Sequence, residues 1–206
     1  DEIGRDVLSR LIWGARASLG FAFTAAVLAA IGGTILGLMG AWLRGWPEIV
    51  TIRFVDVILC FPPILLAMLV TTLLGPGRGV LIFIMAVLFT PGFARAAYAQ
   101  TLSARKFDYV EAVRALGARA PRILGLTVLP NIAGPLLVQF SLTVATALIL
   151  ESGLSFLGLG IPAPAPSWGR MAAGARATMA QAPLLLVWPA LALMVTIYLL
   201  NTVCDR

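Results

Sequence analysis

The sequence has no histidine, only two cysteines and few charges. Charged residues make up 12% of its 206 positions, about half the share found in soluble domains. Without histidine there are no imidazole metal sites, no histidine general bases and no Ser-His or Cys-His nucleophile pairs. Cys60 and Cys204 sit in separate apolar runs without a C-x-x-C spacing, which reads as small apolar helix residues rather than a redox or metal pair. No Walker A phosphate loop occurs, so any ATP chemistry belongs to another chain. The segment GLSFLG sets Ser155 between glycines but lacks the G-x-S-x-G spacing of a nucleophile elbow.

What is present is apolar. Hydrophobic residues make up 60% of the chain and the mean hydropathy is +0.98. One soluble core of this size cannot hide so much apolar surface. The composition therefore excludes a soluble enzyme, a disordered chain and a nucleic-acid-binding domain. The net charge of +6 sits in short segments between long apolar runs, as in membrane topology.

Runs free of charge predict an all-α polytopic membrane protein with five spans, at about 17–43, 55–76, 79–101, 125–150 and 180–204, each near the length that crosses a bilayer. Pro91 and Gly92 are expected to kink the third, and a Gly-Pro-Gly turn at Pro76 to end the second. The uncharged stretch 152–169 holds Gly153, Gly158, Gly160, Pro162, Pro164 and Pro166, too many helix breakers for a lipid-exposed span. It is read as part of a loop, 151–179, packed on protein. Gly32, Gly33, Gly37 and Gly40 are spaced for close helix packing, and Trp168 and Trp188 are expected as interfacial anchors.

Five spans put alternate loops on opposite sides. One side carries six basic residues: Arg5, Arg10, Arg16, Arg78, Arg170 and Arg176. The other carries nine, Arg44, Arg53 and Arg206 among them, and six of the nine fall within 95–122. The positive-inside rule makes the second side cytoplasmic. The segment before the first span then lies outside, which predicts a sixth helix upstream of Asp1.

Within the cytoplasmic loop 102–122, RKFDYVEAVRALG reads as a short helix. Asp108 suits the N-cap with Glu111 as its capping-box partner, and Gly117 suits the left-handed position after the last turn. Val110, Val113 and Leu116 recur on one face. Two readings stand on the residues alone: a lipid-surface helix, or a docking helix offered to a cytosolic partner.

The residues also resemble a known family. Glu111-Ala112, Gly117 and Leu129-Pro130 match the EAA loop of ABC importer permeases, with pattern E-A-A, three residues, G, nine residues, I, one residue, L-P. Val113 replaces the second Ala and Thr127 the Ile. DEIGRDVLSRLIWGARASL, RFVDVILCFPPILLA and ESGLSFLGLGIPAPAPSWGRM are similar to segments of the dipeptide, oligopeptide and nickel branch, its C-type permeases.

That resemblance implies a single permease domain over 1–206 with a type I importer fold, in a bacterial or archaeal cytoplasmic membrane. It implies a non-catalytic subunit forming half of a pore with a second, different permease. Two cytosolic ATPases, which carry the ATP and Mg, and an extracytoplasmic binding protein complete the importer; this chain itself binds no cofactor or metal. ATPase coupling would then involve Asp108, Val110, Glu111, Ala112, Val113, Leu116 and Gly117. Leu129 and Pro130 would follow, with Pro130 and Pro135 bending the next span. Glu151, Ser152, Gly153 and Trp168 would belong to an outer gate or binding-protein loop, and Glu151 is read either as a group meeting a peptide amine or as a helix end at the interface. An ion-coupled secondary transporter, a channel and a membrane enzyme are the alternatives. The first is opposed by ionisable residues, Asp56 and Glu151, that come no deeper than span edges.

Overall fold

A computed structural model describes residues 4, 6–43, 45–75, 77–162 and 165–204, without the side chains of 203 and 204. Asp1, Arg5, Arg44, Pro76, Pro164, Arg206 and the Cys204 side chain lie outside the described residues. All regular structure among the described residues is helical: α1 Val7–Leu43, α2 Trp46–Leu59, α3 Pro63–Leu74, α4 Arg78–Ala104, α5 Asp108–Ala115 and α6 Ala120–Arg122. A π-helical turn, Ile123–Val128, leads into α7 Leu129–Asn131, α8 Ala133–Phe156, α9 Trp168–Ala175 and α10 Leu184–Cys204. Of these, α1, α4, α8 and α10 are long and apolar enough to cross a membrane, and α2 and α3 meet the same test only when taken together, as a broken span or a re-entrant loop.

Several boundaries differ from expectation. Helix α1 starts ten residues before 17, because Asp6 caps it, its carboxylate accepting from the backbone N–H of Leu8 and Ser9 at 3.1 Å each. The expected loop 44–56 is mostly helix α2, with Gly45 as N-cap and Pro47 in the first turn, a favoured position for proline. The second span is instead interrupted at Cys60, Phe61 and Pro62. Cys60 is therefore an exposed residue at the break, not a packed helix residue. Pro91 lies inside a continuous α4. The fourth span carries its irregularity early. Pro130 has no N–H to give, and the Leu129 N–H reaches back five residues to the Leu124 carbonyl, so the helix widens into a π turn before α7. Pro135 falls in the first turn of α8, where it breaks nothing.

The helices pack as two compact units. One comprises residues up to Ala26, Pro62–Ala86 and Ser141 onward. In it the Ser141 hydroxyl donates to the Leu200 carbonyl at 3.2 Å, joining α8 to α10. The other comprises Val27–Phe61 and Val87–Phe140. Its core gathers Leu38, Ala97, Ala104, Val110, Ile123 and Val128. There α1 lies directly on α4. A Cβ at Gly33 would fall 2.5 Å from the Thr90 carbonyl oxygen and 2.9 Å from the Ala94 nitrogen. One at Gly37 would strike the Ala94 carbonyl and lie 2.7 Å from the Ala97 Cβ. Gly40 faces Thr51 at 3.0 Å. The small-residue stripe is packing surface, as its spacing indicated.

Such contacts cannot absorb a methyl group. Gly33→Ala and Gly37→Ala are each expected to destabilise the chain by about 1–3 kcal/mol, the usual cost of overpacking. Gly79→Ala, with no atom within 4 Å of the added carbon, is expected to be neutral. Thermal unfolding of the detergent-solubilised protein checks the contrast.

Candidate functional site

The segment after α4 is built on one arginine. Arg105 donates to the Ala41 carbonyl and, at 3.1 Å, to that of Trp42. Its guanidinium also lies 5.2 Å from the centre of the Trp42 ring. These are last-turn carbonyls of α1, left free by the helix end, so Arg105 caps α1 and ties the start of the loop to it. Sequence reading counted Arg105 only as a positive-inside charge. The signal was an arginine with a tryptophan at a helix end, a pairing invisible until the fold brings positions 42 and 105 together.

Helix α5 forms where expected but is oriented differently. Phe107, not Asp108, is the N-cap; its backbone is extended and no side chain caps the helix. The proposed capping box therefore does not form. Asp108 and Glu111 instead lie in the first turn, where carboxylates favour the positive end of the dipole. Val110 is 3% exposed and Val113 packs against the same core, so both anchor α5 to its own chain. Leu116, on the expected apolar face, is 87% exposed. The outward surface thus carries Asp108, Glu111, Ala112 and Leu116, with the rings of Phe107 and Tyr109 stacked 5.7 Å apart beside them. The two aromatics were not singled out from sequence, although they flank Asp108.

Gly117 has φ of +81°. Its N–H bonds the Arg114 carbonyl at 3.0 Å, and the Ala118 N–H bonds that of Val113 at 3.3 Å. This is a Schellman ending, which favours glycine at that position, and it turns the chain toward α6. Leu129 is half-buried against the core and Pro130 is exposed in the short α7.

The second group of candidates, in the other unit, surrounds a buried carboxylate. Glu151 lies within α8 and is 1% exposed, neither a span edge nor an interfacial helix end. Ser155 donates to its Oε1 at 2.7 Å and Ser18 to its Oε2 at 3.4 Å. The Ser167 hydroxyl lies beside this pair, 3.5 Å from that of Ser155. Ser167 in turn caps α9, accepting from the Arg170 N–H at 3.2 Å. The Trp168 backbone N–H donates to Ser18 at 3.3 Å, and its indole N–H to the Leu11 carbonyl at 3.0 Å. Trp168 is 3% exposed; it anchors the loop to α1 rather than to a membrane interface. Trp188 is half-exposed.

Ser152 and Gly153 complete this picture without touching the carboxylate. The Ser152 hydroxyl is buried and unpartnered, and Gly169 backs onto the residue so closely that an added Cβ would lie 2.5 Å from the Ser152 Cα. Gly153 faces Ile64. Helix α8 ends, like α5, on a Schellman glycine. Gly158 has φ of +83°, with its N–H on the Ser155 carbonyl and the Leu159 N–H on that of Leu154 at 2.8 Å. Among the described residues no group of acidic, cysteine or histidine side chains is arranged to hold a metal.

Glu151 therefore holds the 151–179 segment together from inside. Glu151→Ala, which leaves the Ser155 and Ser18 hydroxyls facing a void, is expected to cost about 3 kcal/mol. Glu151→Gln keeps an acceptor for Ser155 and is expected to cost about 1 kcal/mol. Thermal unfolding of the two variants checks the order; equal losses would contradict the role.

The chain as a whole is similar to known proteins. Residues 33–206 match the family of binding-protein-dependent transport system inner membrane components. The chain is 35% identical over 205 residues to the glutathione transport system permease protein GsiD of Pectobacterium atrosepticum, covering all of this chain and 68% of that one. It is equally similar, at 35%, to the dipeptide transport system permease protein DppC of Alkalihalophilus pseudofirmus, covering 67% of it. An inward-facing structure of the MetNI methionine ABC transporter superposes with a TM-score of 0.81 at 18% identity, over 97% of this chain and 94% of that one, a likeness of fold. With full-length similarity at that level and the family match over most of its residues, the chain belongs to the binding-protein-dependent transport system inner membrane components.

Proposed function

We propose that this inner-membrane chain is a permease subunit of an ATP-driven importer for short peptides or a related small solute, glutathione among the candidates. The observation that carries this reading is α5. It is a short helix held from beneath by Val110, stopped by Gly117, and offering two carboxylates and exposed apolar side chains to solvent. A helix so placed is suited to dock in a groove of a cytosolic partner. Glu111 and Asp108 pair with basic groups there, while Leu116 and Tyr109 bury apolar surface. Val110 and Val113 keep α5 fixed to the core, so displacement of α5 is passed to the spans.

The partners follow from the reading: a second permease, two ATPases carrying ATP and Mg, and an extracytoplasmic binding protein that meets the 151–179 segment. This chain contributes no catalytic group and no cofactor. Transport proceeds by alternating access, with rigid-body rocking around the pore. The π turn and α7 supply the irregular backbone at which the span after α5 adjusts.

Reconstitution with the cognate subunits tests it. Glu111→Lys and Gly117→Leu are each expected to lower ATP-dependent peptide uptake by about tenfold or more while the protein still inserts in the membrane. Leucine at position 117 must adopt a left-handed backbone, at about 1–2 kcal/mol. Binding-protein-stimulated ATP hydrolysis that is unchanged in both variants would sink the assignment.

A further inference from the structure

Asp56 and Arg95 form an ion pair that the coupling role leaves unused. Asp56 lies near the end of α2. Arg95 lies well inside α4, about 14 Å along the helix from its Ala104 end. An arginine inside a span is costly unless it pairs or faces water. Here a single contact joins the two, Nη2 to Oδ1 at 3.1 Å, and both side chains stay open, 61% exposed for Arg95 and 44% for Asp56.

Two other charged groups of the same unit differ. Arg105 is committed to the end of α1. Glu48 accepts from the Tyr98 hydroxyl at 2.5 Å. A half-open ion pair contributes little to stability, typically about 0–1 kcal/mol, so holding α2 to α4 does not account for it.

The pair opens on a small surface cleft of about 80 Å³ with Ile52, Val55 and Ala94 among its walls. The second oxygen of Asp56 and the remaining guanidinium donors of Arg95 have no partner among the described residues. One cleft thus presents an acceptor for an ammonium and a donor fork for a carboxylate, beside apolar surface for a small side chain. We infer that Asp56 and Arg95 form a binding site within the permease for the charged ends of a zwitterionic short peptide. The ligand's ammonium meets Asp56, its carboxylate meets Arg95, and the two residues pair with each other when the cleft is empty. The weak mutual pair keeps both charges neutralised between passages yet costs little to open. This inference rests on the importer reading above and names how the permease itself meets its substrate.

The test is equilibrium binding of radiolabelled alanylalanine to the assembled permease–ATPase complex without its binding protein. N-acetyl-alanylalanine and alanylalanine amide are measured in parallel. The free dipeptide is expected to bind saturably. Blocking either end is expected to weaken binding by about tenfold or more, the size of one lost charge-assisted hydrogen bond. Asp56→Asn and Arg95→Gln are expected to do the same, with Arg95→Lys retaining part of the affinity. No saturable binding, equal binding of the blocked dipeptides, or unchanged binding by assembled Asp56→Asn and Arg95→Gln overturns the inference. Size-exclusion chromatography checks assembly, and where a variant fails it, the blocked peptides on the unaltered complex decide alone. If the unaltered complex with its binding protein still imports peptide, such results overturn only this site; if it imports none, the importer reading falls as well.

Discussion

A chain this apolar must satisfy its own polar groups. In hydrocarbon there is no water to take up a loose N–H, carbonyl or charge, and burying one unpaired costs several kcal/mol. Each well-defined feature of the structure answers that constraint. Asp6 takes the first N–H groups of α1 and Arg105 its last carbonyls. Glycines 117 and 158 close α5 and α8 with paired backbone bonds. The Glu151 carboxylate is shared among serines. Pro130, which cannot donate, widens the helix before it into a π turn so that the neighbouring carbonyls still find partners.

The same constraint shapes the coupling segment. A docking helix must be exposed to meet a partner, yet fixed to pass on a displacement. The division of labour on α5 meets both needs. Val110 and Val113 point into a core shared with Ala104, Ile123 and Val128, and Arg105 fastens the preceding turn to α1. The acids of the first turn and Leu116 remain outside. Had the apolar face been offered outward as a whole, the helix would have had nothing to hold it to its own chain.

Where polar groups sit could be read from the sequence only when the partner was local. Gly117 was legible because its cap is made within six residues, and the glycine stripe of α1 because its spacing is that of one helix face. The presence of the long spans was legible for a similar reason, though not where they end. The capping box failed although its spacing was right, since the chain enters α5 through an extended Phe107 and leaves Asp108 already inside the helix. The start of α2 was missed because Arg44, Arg53 and Asp56 argued for a loop, and an exposed helix face tolerates them. Glu151 was misjudged for a different reason. Ser18, which donates to it, is distant in sequence, and nothing short of the fold shows that hydroxyls of two helices meet one carboxylate. The Leu116 and Val110 faces show the limit of periodicity, which groups residues on a stripe but does not say where along it burial ends.

That limit bears on how charges in a membrane chain should be interpreted. Asp56 and Glu151 looked alike in sequence, two acids near the edges of apolar runs. The structure separates them by what surrounds them. Glu151 has lost nearly all contact with solvent and has each oxygen engaged by a hydroxyl of the same chain, so its chemistry is spent on holding a loop. Asp56 has one oxygen engaged by an arginine that is itself mostly exposed, so the pair has capacity left over. A buried polar network that is fully satisfied rigidifies its surroundings, whereas a partly satisfied, accessible one is a place where another molecule can complete the bonding. Depth in the span does not distinguish these two roles. The number of hydrogen-bonding positions left open does.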